Sequence, residues 1–192
     1  MTVTSKFFRE ATERQFDALL ARYGFKRTKS EDEKFSFSVS YRADQRYVNI
    51  GATLHPHDYP YYLWLKFGEG SDEFPESDWN AIPLWLIVQH QSAATYTEEK
   101  DLYDISMSLT EADAEAKLRR VRESCEAFGL PFLEGNLALF GQLRATQNGQ
   151  REPYRIYTPK KGGGYAMSYE EGSAHLKERF SNSAPKPWWK LW

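Results

Sequence analysis

His55, His57 and Asp58 form the densest local group of potential ligands in the sequence. Histidines at i and i+2 in a turn after a strand can offer both imidazoles to one metal, with Asp58 adding an oxygen. A further ligand would have to come from elsewhere, and His90 and His175 are the remaining histidines. The competing reading is a turn bounded by Pro56 and Pro60, in which Asp58 accepts backbone hydrogen bonds. The absence of H-E-x-x-H and of paired C-x-x-C favours the turn. No metal and no other cofactor is therefore expected.

Lys160, Lys161, Gly162, Gly163 and Gly164 are the second group. Glycines let backbone N–H groups converge on a phosphate and the lysines supply charge. The P-loop pattern G-x-x-x-x-G-K-[ST] is missing, however, and the aromatic, strand-like flanks suit a hairpin loop better. Nucleophilic chemistry finds little support. Cys125 falls on the apolar stripe of its helix and reads as a core residue. Ser36, Ser38 and Ser40 alternate along one strand and read as a solvated face. Glu98, Glu99 and Asp101 around Lys100 read as a polar loop, and no spacing selects a catalytic carboxylate pair.

Two segments point to recognition instead. Glu69, Asp72, Glu73, Glu76 and Asp78 fall within ten residues that contain no base, next to Phe74 and Trp79. Such a stretch complements a basic protein partner. The C-terminal stretch Pro185–Trp192 holds Trp188, Trp189 and Trp192, a large apolar area to leave in water. Docking of this tail on the chain's own body is favoured. A contact with a second copy, giving a homo-oligomer, is the alternative. Two lysines are too few for strong membrane attraction. Aromatic residues near bases, as in Trp64 with Lys66 or Tyr154, Arg155 and Tyr157, could stack nucleobases. A net charge of −2 from 25 basic and 27 acidic side chains argues against a nucleic-acid binder.

These groups need elements to hold them. The chain has 192 residues, 16% of them aromatic, which excludes a charged disordered polymer and suffices for a core. One cysteine excludes an intrachain disulfide, and no apolar run reaches the length of a membrane span. A cytoplasmic setting is the expectation. Residues 5–23 have the apolar period of a helix, with Phe8, Phe16, Leu19 and Leu20 on one side and Gly24 as the stop. Phe35–Arg42, Tyr47–Leu54 and Tyr61–Phe67 alternate with period 2, which predicts a β-meander, and Phe25–Lys29 can add a leading strand. Residues 68–78 read as a loop. Ala81–Val88 reads as a buried helix with Asn80 as N-cap and Pro83 in its first turn, or in part as a strand. Leu102–Met107 reads as a strand. Ser108 and Glu111 suggest a capping box for a helix ending at Phe128. Pro131 then starts a helix reaching about Thr146, Lys160–Gly164 closes a hairpin, and Ser173–Phe180 forms a last short helix.

The pattern predicts a single α+β domain over residues 1–180, an antiparallel meander with helices mainly on one face, followed by the Trp-rich tail 181–192. Phe16, Leu19, Phe37, Val39, Ile50, Leu63, Leu65, Leu84, Leu118 and Val121 are the expected core. The opening helix with Phe16, Leu19 and Leu20, then Tyr23-Gly24-Phe25, the meander and Asp78-Trp79 resemble small bacterial proteins of the polymorphic-toxin immunity type. The resemblance covers about the first eighty residues and carries over no functional position. It implies a binding protein that occludes a toxin and has no catalytic site of its own. A non-enzymatic protein-binding domain is therefore the leading expectation, with Glu69, Asp72, Glu73, Glu76, Trp79, Trp188, Trp189 and Trp192 facing the partner. The alternative is a metal-dependent or phosphate-handling enzyme using the His55–Asp58 turn or the Lys160–Gly164 loop.

Overall fold

A computed structural model describes residues 3–55, 61–70, 80–105, 109–150 and 155–169. Helix α1 (Ser5–Ala21) starts where Thr4 turns its hydroxyl to the Phe7 N–H at 3.1 Å. Its apolar stripe buries Phe8, Ala11, Phe16, Leu19 and Leu20. Gly24, at φ +80°, lets the chain reverse into the sheet without a Cβ penalty.

Strands β1 (Lys26–Glu33), β2 (Ser36–Ala43), β3 (Arg46–Thr53), β4 (Tyr61–Glu69) and β5 (Ala81–Pro83) follow in that order across one antiparallel sheet, and β6 (Asp104–Ile105) pairs with β4. The expected leading strand is present as β1. The β2–β3 turn is shorter than its polar sequence suggests, because Ala43 and Arg46 still pair and only Asp44 and Gln45 turn. Asp44 takes the left-handed conformation there, at φ +52°, which a short polar side chain tolerates.

Helices α2 (Leu84–Gln91), α3 (Ala93–Glu99), α4 (Glu111–Phe128), α5 (Leu130–Leu133) and α6 (Ala138–Gln150) come next, with a 3-10 turn over Lys100–Leu102. A second, two-stranded sheet joins β7 (Arg155–Pro159) to β8 (Tyr165–Tyr169) around the expected Lys160–Gly164 loop. The α+β class and the meander are thus as the periodicities imply.

The inner face of the meander, with Phe37, Val39, Ile50, Leu63, Leu65 and Phe67, forms one apolar cluster with residues of α1, α2, α4, α5 and α6. Phe8 stacks on Phe37 with ring centres 5.2 Å apart, and Phe67 meets Phe132 at 4.7 Å. All ten residues expected in the core are at most 2% exposed.

Several boundaries differ from the sequence pattern. Ala81–Pro83 extends the sheet as β5, and Pro83, not Asn80, occupies the N-cap of α2. The pairing of Ile82 with Phe67 keeps Ile82 in the core, and this outweighs a longer helix. The capping box of α4 is Thr110 with Asp113, because Thr110 is the residue with extended backbone; Glu111 is then the first helical position and too early to reach back. The helix expected from Pro131 to Thr146 is two helices. Gly135 turns left-handed at φ +92° after α5, and the Asn136 side chain accepts the Ala138 N–H at 3.2 Å to begin α6. Of the strand expected over Leu102–Met107, two residues pair as β6 and Leu102 ends the 3-10 turn. Residues 106–108 lie outside the described part, as do Ser173–Phe180 and the tail.

Candidate functional site: the outer face of the meander

The outer face carries the mixed half of the alternation, with Ser36, Ser38 and Ser40 read from the sequence as solvated. Tyr47 and Asn49 of β3 and Ser40 of β2 are nonetheless only 2%, 3% and 2% exposed. The physical reason starts at Gly51. A Cβ there would lie 2.4 Å from the Phe37 carbonyl oxygen and 2.7 Å from the Trp64 ring, so only glycine leaves room for the indole to lie across the sheet. Trp64 fills that space and donates its Nε1–H to Asn49 Oδ1 at 2.6 Å. The Asn49 amide nitrogen donates to the hydroxyls of Ser38 and Ser40, each at 2.9 Å. Both ends of the Asn49 amide are thereby engaged, and the indole is held in a single orientation. The serines expected to be plain solvated positions are therefore the anchor of this network, and Ser40 is buried by it.

Strand register explains what surrounds the indole. Glu31 pairs with Ser38, Ser38 with Gly51 and Gly51 with Trp64, so these four residues form one row across β1, β2, β3 and β4. Glu33 opposes Ser36 in the neighbouring row. Between β1 and the indole lies a trough of about 190 Å³ lined by Glu31, Glu33, Ser36, Phe37, Ser38 and Trp64. On β4, Lys66 reaches over the Trp64 ring at 5.7 Å, and Tyr62 is 55% exposed.

The rest of the face is tied down further along. Arg42 stacks on Tyr47 at 5.5 Å and donates to the Gly70 carbonyl at 2.9 Å. The Tyr47 ring covers Gly68, where any Cβ would overlap it, and its hydroxyl reaches Asn80 Oδ1 at 3.4 Å.

Strand β1 is held in place from the inner side by charge. Arg9 of α1 meets Asp32 at 3.1 Å and Glu13 at 3.0 Å, and Arg27 reaches Glu13 at 2.7 Å. The Ser30 hydroxyl also bonds Glu13. Burial pushes the Glu13 carboxyl up, but the bonds from Ser30 and Arg9 and the charge of Arg27 outweigh it and hold the group below its ordinary value. The Tyr41 hydroxyl donates to Asp17 at 2.9 Å, and burial together with that bond raises its pKa. The Ser5 hydroxyl donates to the Glu33 carbonyl, which sets the end of β1 against the start of α1.

The chain matches no family model, no curated protein and no solved structure. What it can do must therefore be read from its own geometry.

Among the described residues, His55, His90, Cys125 and the Lys160–Gly164 loop lie in or beside separate elements. His55 follows β3 with its ring edge-on to Phe35 at 5.1 Å, and His90 is in the last turn of α2. Among the described residues no three His, Cys, Asp or Glu side chains come together to hold a metal. His57, Asp58 and His175 lie outside the described residues. The Lys160–Gly164 loop is closed by the Lys160 N–H on the Gly164 carbonyl at 3.0 Å, with left-handed backbone at Gly162, Gly163 and Gly164. That is hairpin geometry. Burial pushes the Cys125 thiol up to about 12, which keeps it protonated at neutral pH. No described helix is long and apolar enough to cross a membrane.

Glu69, expected in a loop, is the last residue of β4. Its N–H bonds the Asn80 carbonyl at 2.9 Å and its carboxylate pairs with Arg144 at 3.0 Å. The strand runs on because β5 returns to pair with Gly68. Asp72, Glu73, Glu76, Trp79, Trp188, Trp189 and Trp192 lie outside the described residues. The sequence reading passed over Gly51, Asn49, Glu31 and Glu33. An isolated glycine inside a strict period-2 run was the available signal, since it marks a close approach of another group.

Proposed function

We propose that this chain is a non-enzymatic, cytoplasmic protein-binding domain of the immunity type, which acts by occluding a basic partner protein with the outer face of its meander. The observation that carries this reading is the locked indole of Trp64. A buried asparagine, two serines and a glycine are committed to holding one half-buried tryptophan flat on the sheet, next to exposed Tyr62 and a carboxylate rim. An aromatic side chain whose rotamer is already set loses little entropy when a partner covers it, and Trp, Tyr and Arg are the residues that dominate binding energy at interfaces. The acidic stretch that begins at Glu69 extends the same charge preference, with Asp72, Glu73 and Glu76 as further partner-facing acids.

The test compares affinity capture from native lysate by the full chain and by Tyr62→Glu, with bound proteins quantified at matched bait. Tyr62 is exposed, so the variant is expected to fold normally. Loss of one captured species in the variant, followed by reconstitution of that pair from purified components, is the expected result. Identical capture by both proteins would remove the outer face from consideration. With a purified partner, neutralising Asp72, Glu73 and Glu76 together should slow association and flatten its dependence on salt, with Glu69 left in place because its carboxylate pairs with Arg144.

A further inference from the structure

We infer that the trough beside Trp64 is the seat for one cationic side chain of the partner, arginine ahead of lysine. This rests on the protein-binding reading and names the chemistry at its centre. Size comes first. Clefts that hold drug-sized ligands run to about 300–1,000 Å³. The trough, at about 190 Å³, has room for one long side chain.

Hydrogen-bonding capacity comes next. The indole N–H is already spent on Asn49, so Trp64 offers the trough only its apolar ring surface. Ser38 already accepts a bond from Asn49. The carboxylates of Glu31 and Glu33 supply acceptors and negative charge, and no basic side chain lines the space. Such a lining is matched by a group that carries several donors, bears positive charge and tolerates contact with a ring. A guanidinium does all three and is planar, so it stacks on aromatic surfaces and forks onto carboxylates, whereas an ammonium meets them as a compact, strongly hydrated point charge without that fork.

The carboxylates are ready to receive it. Glu33 makes no ion pair among the described residues. Glu31 meets Lys29 at 2.9 Å, but both side chains are at least half exposed, so that pair is water-facing and easily shared. The seat is also rigid. The Arg9–Asp32 and Arg27–Glu13 pairs hold β1 against α1, and the Asn49 network holds the opposite wall. An incoming cation meets carboxylates and an indole that need not reorganise.

The probe is a short extended peptide with one central arginine among serines and threonines, added to the full chain at up to millimolar concentration. The readout is the indole N–H resonance of Trp64 in a nitrogen-15 correlation spectrum, assigned by its loss in Trp64→Phe. Saturable movement of that resonance is expected, weaker with lysine in place of arginine and absent with citrulline. Glu31→Gln with Glu33→Gln should weaken binding about tenfold. Both residues are exposed, and an unshifted Trp64 resonance in the free variant shows that the wall is intact. Equal movement with citrulline, or binding indifferent to the two glutamines, would overturn the cation seat. So would the absence of any movement with the arginine peptide. The Tyr62→Glu capture experiment judges the docking face separately, so failure of the seat and failure of the face are distinguishable.

Discussion

The two faces of the meander are built from the same strands, and they are ordered by different forces. On the inner face, Phe37, Val39, Ile50, Leu63 and Leu65 are buried because many weak contacts and loss of water-exposed area favour it. No single partner matters there, and any apolar side chain of the right volume would serve in part. On the outer face a few directional bonds decide everything. Trp64 has its place because Gly51 is small, Asn49 accepts, and Ser38 and Ser40 engage the other end of the same amide. The inner face is redundant and strong. The outer face is specific, and each of its parts is hard to replace.

The strongest expected contrast comes from the inner face. Leu65→Ala should cost ~2–5 kcal/mol of unfolding free energy by denaturant titration, since Leu65 is fully enclosed. A loss below about 0.5 kcal/mol, the range of surface changes, would show that the faces are assigned wrongly. On the outer face, Gly51→Ala should cost about 1–3 kcal/mol. Its methyl group meets a backbone oxygen that cannot move aside cheaply, so the indole must leave. The companion measurement is the Trp64 indole N–H resonance, which should lose the downfield position that its bond to Asn49 confers. An alanine variant with that resonance unmoved would mean that the trough is looser than the distances imply.

A smaller effect separates the charge network behind β1 from both faces. The Glu13 carboxyl is depressed in the folded chain, so the unfolded chain takes up protons first as pH falls. Its contribution to stability is complete above the ordinary value of 4.5 and declines as pH drops below it. Acid titration of unfolding free energy should show this decline in the parent and a shallower one in Glu13→Gln. Parallel curves would mean that the network adds nothing. Smallest of all, Tyr62→Ser should change stability by no more than about 0.5 kcal/mol, although it alters the proposed docking face.

The inner face was legible in the sequence and the outer one was not, and the reason is physical. Burial of Phe16, Ile50 or Leu118 follows from repeat spacing, because helices and strands present a face at regular intervals. The outer network depends on which residues of different strands come opposite each other. Nothing local in Glu31, Ser38, Gly51 and Trp64 shows that they share a row. That follows only from three strand registers together. Boundaries failed for a related reason. Thr110 and Ser108 are both good caps by residue type, and Pro83 suits a first helical turn by residue type although it takes the N-cap. What decided these was tertiary: Ile82 pairs with Phe67, and Glu69 stays in its strand because β5 returns alongside.

Strand β1 has one more consequence, which concerns the chain's behaviour at high concentration. It ends the sheet, and all eight of its residues are exposed. An exposed terminal strand offers a row of unsatisfied backbone groups on which another chain can grow. Lys26, Arg27, Lys29, Glu31, Asp32 and Glu33 place charges of both signs along that row. A second copy adding in parallel and in register would set Lys26 against Lys26 and Glu33 against Glu33, whereas an antiparallel copy in register would set Lys26 against Glu33 and Arg27 against Asp32. The carboxylates proposed to receive a partner's cation thus also guard against parallel, fibre-like stacking, and leave a paired antiparallel contact between two copies unopposed by charge. A chain engineered to bind more tightly by making this strand apolar would gain contact area and lose its colloidal stability.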